Sequence, residues 1–168
     1  MRTSRKKGGC FGDVCYCKCG QVNKSFDRFL FSETRFDVRL TQLCHSNIGW
    51  FTNKEHSHSH MINDWSVDDK EGVYILWHKN EYCVEHDLFH MKGLYVGKGR
   101  IQKRIADHFF KKEFSDEMLI YFTYLELPNR ISKYIEQLML DTFRIPYNKN
   151  ENTGKENLCA YFTQTEVD

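Results

Sequence analysis

The chain holds only two prolines in 168 residues, so little in it forces regular elements to stop. It also lacks any run of about 18 apolar residues, which leaves no candidate for a membrane-spanning helix. Net charge of one sign is missing as well: 24 Lys and Arg stand against 23 Asp and Glu, a formal +1. No global field draws a polyanion, so any nucleic-acid surface has to be a local patch. Met1 to Lys7 is basic but runs into Gly8-Gly9-Cys10 rather than an apolar signal core, so a cytoplasmic, reducing location is expected. Internal repeats and low-complexity tracts are absent too.

What is present is apolar and aromatic, at 40% and 15% of residues. That is enough for a packed core and too much for a disordered chain. The length suits one domain with an appendage, and the composition changes near residue 70. Residues 1–70 carry Cys10, Cys15, Cys17, Cys19, the pair Cys44-His45, and the run His56, His58, His60. Cys15 and Cys19, completed by Cys44, His45 or the histidine run, have spacing that a structural Zn²⁺ can use. However, the seven cysteines include no C-x2-C pair. That favours free thiols beside a polar linker.

From Glu71 the pattern tightens. Gly72 to Trp77 is β-branched and aromatic and predicts a strand. His78 to His90 is polar, a loop or extended hairpin, with His86 and His90 expected at the surface. Lys92 to Gly97 predicts a second strand, Arg100 to Lys112 a helix, and Glu117 to Leu127 a third strand. Pro128 and Asn129 open a second helix from Arg130 to Arg144. Ile145-Pro146-Tyr147-Asn148 is a turn that folds back on the body, and Asn157 to Phe162 a short strand or edge segment. The expected domain, residues 71–168, is α/β (α+β): a small, three-stranded, mainly antiparallel sheet flanked by helices.

Two stretches carry chemistry. Tyr95 to Phe109 passes from a strand through Gly97-Lys98-Gly99 into a helix, and that glycine spacing fits no nucleotide-binding motif. The helix sets Arg104 and His108 one turn apart on one face. Residues 97–112 hold Lys98, Arg100, Lys103, Arg104, Lys111 and Lys112 against a single acid, Asp107. This is the local patch that a near-neutral chain needs to meet a phosphate backbone, with Lys111 and Lys112 expected on a solvated face. On the second helix Ile131, Tyr134, Ile135, Leu138 and Thr142 form the expected core stripe. Glu136 falls on its flank with Leu140 and Phe143, a carboxylate at the edge of a buried face.

Taken in order, Gly72-Val73-Tyr74, Tyr95-Val96-Gly97-Lys98, Arg104, His108, Glu136 and Asn148 resemble the GIY-YIG nuclease family over about residues 71–150. Tyr95 to Phe109 is especially similar to the N-terminal nuclease domain of the excision-repair incision subunit. One departure is the insertion from His78 to His90, which leaves more residues between Tyr74 and Tyr95 than the family commonly has.

The resemblance implies a metal-dependent DNA endonuclease that hydrolyses phosphodiester bonds. Glu136, the only carboxylate of the set, suits one Mg²⁺ or Mn²⁺ and argues against a two-metal site. Tyr74 is expected as general base or water-positioner with Tyr95 as its partner. Lys98 and Arg104 are the cations that would favour a phenolate. Arg104 would brace the scissile phosphate, His108 relay a proton or hold phosphate, and Asn148 orient the site. The stand-alone size suggests a restriction-type or toxin/defence enzyme with a DNA substrate. A homodimer is a further partner to look for, as is an inhibitor protein if the enzyme is a toxin. The alternative is a non-catalytic nucleic-acid-binding protein whose N-terminal region is stabilised by zinc.

Overall fold

The computed structural model describes residues 19–52, 70–111, 114 and 119–168. Cys10, Cys15, Cys17 and the run His56, His58, His60 lie outside them, and so does the zinc arrangement built on those residues. The elements in order are α1 (Cys19–Thr34), α2 (Leu40–His45), β1 (Gly49–Thr52), β2 (Glu71–Cys83), β3 (Leu88–Arg100) and α3 (Ile101–Lys111). Then come β4 (Leu119–Glu126), α4 (Asn129–Thr142), β5 (Cys159–Phe162) and α5 (Gln164–Val167).

The sheet has five strands in the order β1-β4-β2-β3-β5, and every neighbouring pair is antiparallel. The expected three-stranded sheet is its centre. Of the two additional strands, β5 is the short edge strand expected within Asn157 to Phe162, whereas β1, of four residues, is too short for periodicity to declare. The stretch from His78 to His90 continues the hairpin instead of leaving it: β2 and β3 pair as far as Cys83 and Leu88. Cys83 is buried there, and His90 is half-buried with its ring 5.6 Å from that of Tyr161. Of His86 and His90, both expected at the surface, His86 alone is exposed.

Helices cover both faces. On one, α2 and α4 pack over Val73, Ile75, Trp77 and Val96, and α1 packs against α2 and α4. On the other, α3 packs over Tyr74, Leu76 and Leu94 through Ile101 and Ile105. Thus the described part of the expected appendage shares the core of the rest. Phe26, Leu30, Val38, Leu40 and Leu43 are buried with Ile135 and Met139. Cys44 is buried among them, and His45 is engaged elsewhere, its Nδ1 being 2.7 Å from Glu166. No separate unit ends at residue 70, because β1 hydrogen-bonds β4.

Two bulges tune β2 and β3. Leu76 faces Tyr95 but Trp77 faces Gly93, so Leu94 is an extra residue on β3. Leu94 and Tyr95 therefore both turn toward α3, breaking the strict alternation of a strand. Asn80 is the extra residue on β2, which restores the register toward the hairpin tip.

Leu30, fully buried in α1, tests the shared core. Leu30→Ala is expected to destabilise the whole protein by about 2–5 kcal/mol, read from urea denaturation. Tryptophan fluorescence and circular dichroism should report one coincident transition. A loss below about 1 kcal/mol, or two separated transitions, would show that α1 is an independent appendage.

Candidate active site

The site is built at the end of the β2–β3 ladder where β3 runs into α3. Tyr74 lies opposite Gly97 on β3 and Tyr124 on β4. Its ring occupies the space above Gly97, where an added Cβ would come within 2.4 Å of the Tyr74 hydroxyl. Only glycine leaves room for that ring. Two residues on, Gly99 adopts φ +115°, a conformation that other residues rarely adopt, and the chain turns directly into α3.

Tyr95 reaches the same face through the Leu94 bulge, and its ring stacks on Tyr74 with centroids 6.0 Å apart. From α3, His108 Nε2 lies 2.9 Å from the Tyr74 hydroxyl, and its ring meets Tyr95 edge-on at 4.5 Å. Arg104, one turn earlier, places its charge beside both hydroxyls. Its Nε is buried with no acceptor among the described residues. These groups form one wall of a cleft of about 540 Å³, faced by Tyr147, Lys149 and Asn150. Lys111 is exposed, as expected, and lines this cleft, while Lys112 lies outside the described residues.

The expected roles of the cations change. Lys98 pairs with Val73, on the sheet face opposite the tyrosines, so its charge acts on Glu136 instead. Arg104 is left as the cation acting on the tyrosines. It does not outweigh burial: Tyr74 is fully enclosed, and burial followed by the neighbouring Tyr95 pushes its pKa far up. A standing phenolate at Tyr74 is therefore disfavoured, and the tyrosine open to the cleft is Tyr95.

Glu136 is half-buried on α4, on the flank of a core stripe made of Ile131, Ser132, Ile135, Met139 and Leu140. That stripe is turned from the expected one: Tyr134, Leu138 and Thr142 are only partly covered, and Leu138 and Thr142 line a groove against α1. Burial raises the Glu136 pKa although Lys98 and Arg104 pull it down, and Glu151 raises it further. Among the described residues no group of three or more His, Cys, Asp or Glu gathers to hold a metal, so a hard cation at this single carboxylate would need water and phosphate oxygens to complete its shell.

Asn148 completes the arrangement from the chain's return path. Its Oδ1 accepts from the Val96 N–H at 3.0 Å, and its Nδ2 donates to the Val96 carbonyl at 2.9 Å. β5 covers only the first part of β3, so this side-chain amide takes the place of a neighbouring strand for Val96. Asn148 thereby ties its own loop to the edge of β3 next to Tyr95. Sequence reasoning passed over Tyr147, Lys149 and Asn150, which follow that turn and carry no periodic signal. Asp107 and Lys111, by contrast, are at i+3 and i+7 from Arg104 and were readable.

The raised pKa of Glu136 has a signed consequence. Above its folded pKa the buried carboxylate is ionised at a cost that the unfolded chain does not bear. Below the unfolded value, near 4.3, both states are protonated and the cost vanishes. Glu136→Gln is thus expected to raise the urea midpoint at pH 7 in metal-free buffer, and the gain should shrink toward pH 4. A gain that grows as pH falls would contradict this electrostatic account.

No protein-family model, characterised protein or solved structure matches the chain.

Proposed function

We propose that this chain is a metal-dependent endonuclease of the GIY-YIG type acting on DNA. One observation carries the reading: the charge of Arg104 acts at once on the hydroxyls of Tyr74 and Tyr95 and on the carboxylate of Glu136. Residues of β2, β3 and α3 beside the cleft thereby share one cation with a carboxylate of α4 on the opposite face of the sheet. Structural packing alone has no use for that combination.

In this reading the scissile phosphate sits against Arg104, whose planar guanidinium lines the cleft and suits a phosphate oxygen. A water at Tyr95 attacks phosphorus, and the bond from phosphorus to the 3′ oxygen breaks. The water's proton passes to the Tyr95 hydroxyl, that of Tyr95 to Tyr74, and that of Tyr74 to His108 Nε2. This relay needs no lasting phenolate, which agrees with the upward shift at Tyr74. Glu136 would hold the divalent ion, with Lys98 and Glu151 tuning its charge. When bound, the ion supplies charge stabilisation at the leaving oxygen. Asn148 keeps β3 and the Tyr147 loop in place.

The finer reading is a restriction-type or toxin/defence enzyme working in the cytoplasm. Among the described residues no helix is long and apolar enough to cross a membrane. A second copy, or an inhibitor if the enzyme is toxic, belongs to the same proposal.

Plasmid DNA tests it. Wild-type protein is expected to cleave with Mg²⁺ or Mn²⁺ and to stop with EDTA. Glu136→Ala should lose about 100-fold or more in rate while keeping its fold. Discrete fragments indicate restriction, and a smear indicates a degrading toxin. Absence of metal-dependent cleavage by the wild type across a range of salt sinks the enzyme and leaves a binding protein.

A further inference from the structure

The cleft carries side chains that the hydrolytic relay leaves unused. Tyr147 is fixed from behind: its N–H donates to the Leu94 carbonyl at 3.0 Å, and its ring lies 4.9 Å from that of Phe114. Phe114 in turn is buried with Ile105 in the core under α3. Yet Tyr147 remains 37% exposed and lines the cleft. An aromatic ring held rigid on one side and open to a basic cleft on the other is a stacking platform.

Asp107 is the second unused group. It lines the same cleft, and no ion pair ties it to a described residue. A carboxylate there repels phosphate, so it does not serve the backbone. It accepts N–H donors instead: the amino groups of cytosine, adenine and guanine, whereas thymine presents one imino N–H set between two carbonyl oxygens that a carboxylate repels. The bases of a duplex hide their faces in the stack, so a base can meet Tyr147 only when it is unstacked. The volume of about 540 Å³ falls in the range of roughly 300–1,000 Å³ typical of single-ligand sites.

We infer that the cleft seats one unstacked nucleotide, its base on Tyr147, its amino edge on Asp107 and its phosphate toward Arg104 and Lys111. The seat rests on the nucleic-acid reading above, and it adds a substrate form: a strand with a base free to leave its stack. Selectivity follows from the same contacts, since the two carbonyl oxygens flanking thymine's imino N–H repel the Asp107 carboxylate.

The test uses full-length protein, EDTA to prevent cleavage, and short single-stranded oligonucleotides. One set is fluorescein-labelled dC, dA or dT homopolymer, read by anisotropy. The other carries 2-aminopurine, whose emission falls when it stacks. Wild type is expected to quench 2-aminopurine and to bind dC or dA on the order of tenfold tighter than dT. Tyr147→Phe should behave as wild type. Tyr147→Leu retains apolar packing on Phe114, and should lose the quenching and on the order of tenfold in affinity. Asp107→Ala should level the preference over dT without weakening dT binding.

Wild-type quenching and affinity in Tyr147→Leu, equal wild-type binding of all three homopolymers, or no binding at all would overturn the seat. The hydrolytic reading stands or falls separately. Plasmid cleavage with an unaltered Tyr147→Leu variant removes only the seat, whereas quenching without any cleavage by wild type leaves the seat and removes the nuclease.

Discussion

The packing of one tyrosine over one glycine sets the geometry of this site. Tyr74 fills the space that Gly97 leaves and bonds His108, so one side chain links the paired strands β2 and β3 to α3. A larger residue at 97 would expel the ring. Without the ring, α3 would lose the contact that sets the height of Arg104 and His108 above the sheet. Tyr95 depends on the same packing, because it stacks on Tyr74 from across the strand pair.

Electrostatics divides the site along the sheet. The face under α3 holds two tyrosine hydroxyls, an imidazole and Arg104, and the opposite face holds Lys98 and Glu136. Arg104 is the cation common to both. Burial opposes ionisation on each side, raising the pKa of Tyr74 and of Glu136 together. A site in that condition gains from an incoming phosphate and cation, each of which supplies the charge that the other side chains lack. The loop that carries Asn148 closes the edge of β3 and brings Tyr147 to the cleft by the same turn.

Much of this was legible from sequence because it is local. Arg104 and His108 lie a turn apart whatever the rest of the chain does, Gly97 and Gly99 mark the strand-to-helix turn, and Glu136 shows as a carboxylate on a helix flank. The bond between Tyr74 and His108 joins residues 34 apart and has no local trace. The Leu94 bulge was equally hidden, since a bulge is decided by register with a partner strand. Lys98 was a missed opportunity: alternation from Tyr95 already puts it on the other face. The membership of α1, α2 and β1 in one core has no local trace, because the cysteines and histidines of the first 70 residues read as thiols beside a polar linker and the packing is between distant segments. Their apolar residues, among them Phe26, Leu30, Leu40 and Leu43, do the packing.

The central claim is that the Tyr74 hydroxyl links the cleft to His108 during hydrolysis. Its most direct test is single-turnover cleavage of one defined DNA duplex by wild type and Tyr74→Phe, with binding measured in parallel without metal. Phenylalanine keeps the ring over Gly97 and removes one oxygen. The account predicts unchanged folding and binding, with cleavage slowed by about 10²–10⁴-fold. A variant that cuts at the wild-type rate would contradict it.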